Sequence, residues 1–113
     1  MGRYYFADLD KYYEGEFRMS NMEGRGVEIW ADGRRYEGDF KNGKKDGEGT
    51  FQWPSGIKYI GSWRNGKQHG VGILYNTNDN TKKQGEWQNG KRIRWISGLE
   101  LLSSPSPSKK ERV

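Results

Sequence analysis

Residues 36–58, YEGDFKNGKKDGEGTFQWPSGIK, decide how this chain folds. Tyr36, Gly38 and Phe40 alternate with Glu37 and Asp39; further on, Gly47, Gly49, Phe51 and Trp53 alternate with Glu48, Thr50 and Gln52. A period of two sends successive side chains to opposite faces of a strand, so each run carries one apolar face and one solvated face. Between the runs stands Asn42-Gly43, a pair that accepts positive φ and reverses the chain between antiparallel strands. A helix is excluded, because each interior glycine would cost it about 1 kcal/mol relative to alanine. The glycines share a face with the rings, and a ring can lie flat on a residue that has no side chain.

The pattern returns every 23 residues. Residues 13–35, YEGEFRMSNMEGRGVEIWADGRR, precede it; residues 59–82, YIGSWRNGKQHGVGILYNTNDNTK, follow with one extra residue in the polar end. A partial copy and cap occupies residues 83–102, opening KQGEWQNGKRIRW with Lys83 in place of the tyrosine, and YYFADLDK within residues 1–12 fits the second half of an earlier copy. Asn65-Gly66 and Asn89-Gly90 repeat the turn, while Ala31-Asp32-Gly33 and Pro54-Ser55-Gly56 link one copy to the next. The first copy has Arg18-Met19-Ser20-Asn21 at the turn, which predicts a differently shaped loop there. The expected fold is all-β: a single-layer, twisted antiparallel meander of tandem hairpins, each touching mainly its neighbours. Gly61–Gln68 (GSWRNGKQ) and Gly38–Lys45 (GDFKNGKK) imitate a phosphate-binding loop. Both lack its final hydroxyl residue and its strand–helix setting, so they read as hairpin turns.

Composition fits a thin sheet. Only 31% of the 113 residues are hydrophobic, yet 14% are aromatic and 17 are glycine; mean hydropathy is −1.17. Few aliphatics cannot fill a deep core, but rings can cover a sheet because each buries a large area. The absence of cysteine excludes disulfides, thiolate metal sites and a cysteine nucleophile. No stretch reads as a signal peptide or is apolar over the roughly 18–20 residues that span a bilayer, so a cytoplasmic protein is expected. Of the net charge of +5, residues 91–113 carry most, through Lys91, Arg92, Arg94, Lys109, Lys110 and Arg112. The body is close to neutral, which argues against nucleic acid as a partner.

Chemistry-bearing residues are sparse. The lone histidine, His69, falls in a segment read as an exposed loop and has no cysteine with which to hold zinc. Glu14/Glu16 and Glu37/Asp39 alternate onto the solvated face and fit strand patterning without an acid–base role. No catalytic residue, metal, cofactor or small-molecule substrate is expected, and the chain reads as non-enzymatic. The candidate partner-binding groove is the aromatic row Tyr13, Phe17, Trp30, Tyr36, Phe40, Phe51, Trp53, Tyr59, Trp63 and Trp87, since a one-layer sheet brings no second layer to cover it. Lys44, Lys45 and Lys67, with Arg92 and Arg94, are candidate contacts to anionic lipid. On the opposite face Val27, Ile29, Ile60, Val71, Ile73 and Tyr75 suggest a small apolar patch to be covered by a partner, by a second copy of the chain or, the slightly favoured reading, by Trp95–Leu102 (WISGLELL). Residues 103–113, SSPSPSKKERV, read as a disordered tail in which Ser104 and Ser106, each before proline, are candidate phosphorylation sites.

The motif Y-x-G-x-F/W-x-N-G-x-x-x-G-x-G at this interval, as in YEGDFKNGKKDGEGTFQWPSG and YIGSWRNGKQHGVGILY, resembles the membrane occupation and recognition nexus (MORN) repeat over roughly residues 5–95. The resemblance implies a single-layer sheet whose aromatic face forms a groove. It also implies a scaffold or adaptor in a cytoskeletal, cortical, ciliary or flagellar (axonemal) assembly, and the row of rings leads us to expect a helical or extended segment of another protein along that groove. The alternative it offers is a module that binds anionic phospholipid or regulates a larger enzyme.

Overall fold

A computed structural model of the chain describes residues 2–96 together with 100 and 101. Ten strands form one sheet: β1 (Gly2–Phe6), β2 (Lys11–Arg18), β3 (Asn21–Trp30), β4 (Arg35–Lys41), β5 (Lys44–Gln52), β6 (Ile57–Arg64), β7 (Lys67–Asn76), β8 (Thr81–Gln88), β9 (Lys91–Trp95) and β10 (Glu100–Leu101). Each of β1 to β8 pairs antiparallel with the next, and the only helical turn among the described residues is the 3-10 segment Ala7–Leu9. The outer edge of β8 is shared: β9 pairs with Gly85–Gln88 and β10 with Thr81–Lys82. The array measures 52 × 25 × 22 Å, long in the direction of repeat addition.

The hairpin turns place Asn42, Asn65 and Asn89 at φ of 51–52° and the glycines after them at 80–87°. Asparagine and glycine tolerate that region, and two successive positive φ values match the twist of the flanking strands. Met19 and Ser20 adopt the same conformation, with φ of 51° and 69°. The expectation of a differently shaped first loop is thereby corrected: pairing of Phe17 with Met22 and Arg18 with Asn21 imposes the two-residue reversal on less suitable residues.

One packing unit recurs three times. The Tyr36 ring lies over Gly49, and its hydroxyl donates to the Asp39 carbonyl at 2.9 Å; Tyr13 lies over Gly26 and donates to Glu16 at 2.7 Å, and Tyr59 lies over Gly72 and donates to Ser62 at 3.0 Å. A Cβ on Gly26 would stand 2.5 Å from Tyr13 Cε1, so only glycine admits the ring. The accepting carbonyls belong to β-bulges, where the register shifts between Gly15 and Phe17, Gly38 and Phe40, and Gly61 and Trp63. Each bulge turns a backbone acceptor toward the tyrosine hydroxyl and meets the hydrogen-bonding need of a buried phenol.

Rings then tie repeat to repeat. Phe17, Tyr13, Phe40, Tyr36, Trp63, Tyr59, Trp87 and Trp95 form a continuous series of edge-on pairs, with interplanar angles of 79–89° and centroids 4.9–6.1 Å apart. Tyr13, Tyr36 and Tyr59 thus each sit between the Phe or Trp of their own repeat and that of the next. Edge-to-face pairs contribute about 0.5–1.5 kcal/mol beyond burial, and the three tyrosines are fully buried although the sheet is one layer thick. At the turns, the amides of Gly43, Gly66 and Gly90 donate to the carbonyls of Met22, Lys45 and Gln68 in the preceding repeat, at 2.7–3.0 Å. Beside them, side chains of Glu23, Asp46 and His69 accept the amides of Asn42, Asn65 and Asn89. His69 therefore belongs to strand β7 and to this joint, which corrects its reading as a free loop residue.

Candidate functional site

The sheet brings all ten rings of the predicted groove to one face, in line with the glycines. Burial divides them. Tyr13, Tyr36, Phe40, Phe51, Tyr59, Trp63 and Trp87 are buried against one another, whereas Phe17, Trp30 and Trp53 remain accessible. The buried seven, together with Met22, are the core, which in a one-layer sheet must lie on the face itself. What the face offers a ligand is a second line of partly exposed groups packed on that core: Phe6, Trp30, Trp53, Leu74 and Trp95. At its N-terminal end, where Phe17 meets Tyr13 but no ring of an earlier repeat, a recess of ≈ 410 Å³ opens among Tyr4, Phe6, Phe17, Asn21 and Met22.

The face is also charged. Glu28, cross-strand from Tyr13 and Tyr36, occupies the place that Phe51 and Leu74 take in the next two repeats. It is 2% exposed, with Lys11 Nζ at 2.5 Å and Lys45 Nζ at 4.0 Å. Lys45 stands 5.5–5.8 Å from the centroids of Trp30, Tyr36, Phe51 and Trp63, so its ammonium is caged by four rings. Desolvation by those rings lowers its pKa, and the Glu28 carboxylate opposes the shift. Ring quadrupoles attract a cation, and a carboxylate compensates its lost hydration. Lys11 likewise lies 5.1 Å from the rings of both Phe6 and Trp30. At the other end, Trp95 packs over Gly85, with Lys83 Nζ and the Arg92 guanidinium each 4.4 Å from its ring.

Of the residues read as lipid contacts, Lys44 and Lys67 are exposed at the first positions of β5 and β7. Lys45, also in β5, is on the ring face inside its cage, with its side chain 18% exposed. Arg92 lies on the ring face, and Arg94 pairs with Glu86 at 2.8 Å on the opposite one. There, Ile29, Ile60 and Val71 remain 37–46% exposed, and the described part of the C-terminal segment runs along the edge of β8. Ser104 and Ser106 lie outside the described residues. Sequence reading missed Glu28, Lys11, Lys83 and Trp95. Glu28 was within reach, since the alternation that puts Trp30 and Gly26 on the ring face puts Glu28 there too.

No group of three or more acidic or histidine side chains able to hold a metal ion occurs among the described residues. Comparison with curated proteins finds none that matches the chain. A family model for the MORN repeat matches residues 13–34, 36–58, 59–81 and 84–92.

Proposed function

The chain belongs to the MORN repeat family, and on that premise we propose that it is a non-enzymatic scaffold binding a segment of another protein along its ring face. Repeats of this family are generally non-catalytic and occur in scaffolds for protein and lipid interaction. The observation that carries the reading is the line of partly exposed rings, Trp30, Trp53 and Trp95 with Leu74, on a face that no second layer among the described residues covers. Trp and Tyr dominate binding energy at many interfaces, and an uncovered apolar line invites a partner. The core rings beneath supply rigidity and the half-buried line makes the contacts. By family resemblance the setting is a cytoskeletal, ciliary or cortical assembly in the cytoplasm.

The test is capture of a partner by the wild-type protein and by Trp53→Ala, with circular dichroism verifying the fold of both. Stoichiometric capture that Trp53→Ala reduces supports the reading. Capture that ignores Trp53→Ala rejects the ring face as the binding site, and no capture alongside salt-sensitive sedimentation with anionic liposomes rejects the reading in favour of the lipid-binding alternative.

A further inference from the structure

The charges on the two faces differ in kind. Strand residues of the outer face mix both signs: Glu14, Glu37, Asp39, Glu48 and Glu86 stand among a larger number of cations that includes Arg3, Arg18, Arg25, Arg35, Lys58, Lys82 and Arg94. On the ring face, the charged strand residues among those described are Lys11, Lys45, Lys83, Arg92 and Glu28: four cations and one carboxylate. Each cation is laid on rings. The single carboxylate is spent on the Lys11–Lys45 end. Lys83 and Arg92, on either side of Trp95, have no acidic residue of the ring face beside them in the strand register.

We propose that the segment this face binds is acidic and amphipathic, with apolar side chains meeting Trp53 and Leu74 at its middle and carboxylates meeting Lys83 and Arg92 at one end. The inference rests on the ring-face reading above and adds the partner's chemistry to it. Glu28 is an internal precedent, since it shows these ring-laid cations accepting a carboxylate. Seven strand spacings separate β2 from β9, about 34 Å at ~4.8 Å each. That length suits about 22 residues of helix or about ten of extended chain. Lipid headgroups fit less well: Lys11 and Lys45 have side chains only 12% and 18% exposed and sit among rings rather than protruding. Complementary charge would set the segment's orientation and speed its association.

The experiment is selection of displayed random 22-residue segments on the intact protein, on Trp53→Ala and on the double variant Lys83→Glu/Arg92→Glu. Phosphatidylserine vesicles are sedimented in parallel with each protein. The expected result is net-negative, apolar binders on the wild type that weaken at least about tenfold on the double variant and also weaken on Trp53→Ala. Binders that depend on Trp53 but show no acidic bias, or that tolerate the charge reversal, overturn this inference and leave the ring-face reading standing. Binders indifferent to Trp53→Ala, or no binders at all, overturn both. Vesicle binding abolished by the double variant, without acidic binders, assigns the cations to a lipid surface and overturns the proposal.

Discussion

His69 Nδ1 accepts the backbone amide of Asn89 at 3.4 Å, across the joint between the third repeat and the partial fourth. The same joint one repeat earlier is made by Asp46, whose carboxylate takes the Asn65 amide at 3.1 Å. A carboxylate is the stronger acceptor, since bonds to ionised groups are shorter and roughly twice as strong.

His69→Asp should therefore tighten the last joint. The contact is exposed, so the expected gain is about 0.5 kcal/mol, a rise in melting temperature of about 2–4 °C for a domain of this size. A melting temperature unchanged within error would assign the side chain no energetic weight at this joint.

Met19 and Ser20 hold left-handed backbone that Asn-Gly supplies in the other hairpins. Met19 is 91% exposed, so its replacement forfeits no packing. Non-glycine residues in this region are strained by about 1 kcal/mol each. Met19→Asn with Ser20→Gly should raise stability by about 1–2 kcal/mol, read as a higher urea midpoint at unchanged slope. A midpoint that stays put would mean that the turn relaxes its strain elsewhere.

These cases also mark what a single sequence discloses. Period-two alternation and the Asn-Gly turns settle strand, hairpin and repeat, because those depend on neighbours in the chain. Which rings remain available depends also on contacts from other repeats: Phe40 is covered because Tyr13 of the preceding repeat joins Tyr36 of its own in flanking it. Trp95 escaped notice because it replaces a tyrosine from a different position, reaching Gly85 from the far strand of its hairpin. The Lys45 cage draws its rings from β3, β4, β5 and β6, so no local motif could announce it.

Glu28 and its two lysines, Lys11 and Lys45, provide a further test. Glu28→Leu places at this site the residue that Leu74 contributes in the third repeat, but it leaves two ammonium groups among rings without a carboxylate. Removing one partner of a largely buried pair is costly, whereas replacing both with apolar groups is often neutral. The single variant should lose about 2 kcal/mol and the triple variant Glu28→Leu/Lys11→Met/Lys45→Met, which also removes both ammonium groups, should recover most of it, Met being the residue that Met22 supplies at the place of Lys45 in the first repeat. Equal losses in both variants by urea denaturation would show that the ion pair does not stabilise the face.

The core phenols make the fold sensitive to alkali. Burial pushes Tyr13 and Tyr59 from the ordinary 10.0 up to about 12 and raises Tyr36 as well. A folded pKa above the unfolded one gives stability that is complete below pH 10 and lost as pH rises through 12. Ionisation of these three, followed at 295 nm, should coincide with loss of the far-ultraviolet signal of the sheet. Their titration near pH 10 with the sheet intact would contradict their burial between rings.

Trp95 closes the ring series where Lys83 replaces the tyrosine, meeting Trp87 edge-on at 6.1 Å and covering Gly85. Repeat arrays owe their stability to nearest-neighbour interfaces, so damage at one end should stay local. Trp95→Ala removes one of the two rings flanking Trp87 and should cost about 2–3 kcal/mol at that end. Native-state hydrogen exchange is the discriminating measurement. Protection should fall in β8 and β9 while β2 to β5 keep theirs, because Tyr13 and Tyr36 retain every ring that touches them. If protection instead fell equally across the array, the sheet would unfold as one cooperative unit, and the ring series would act as a single core rather than a chain of separable joints.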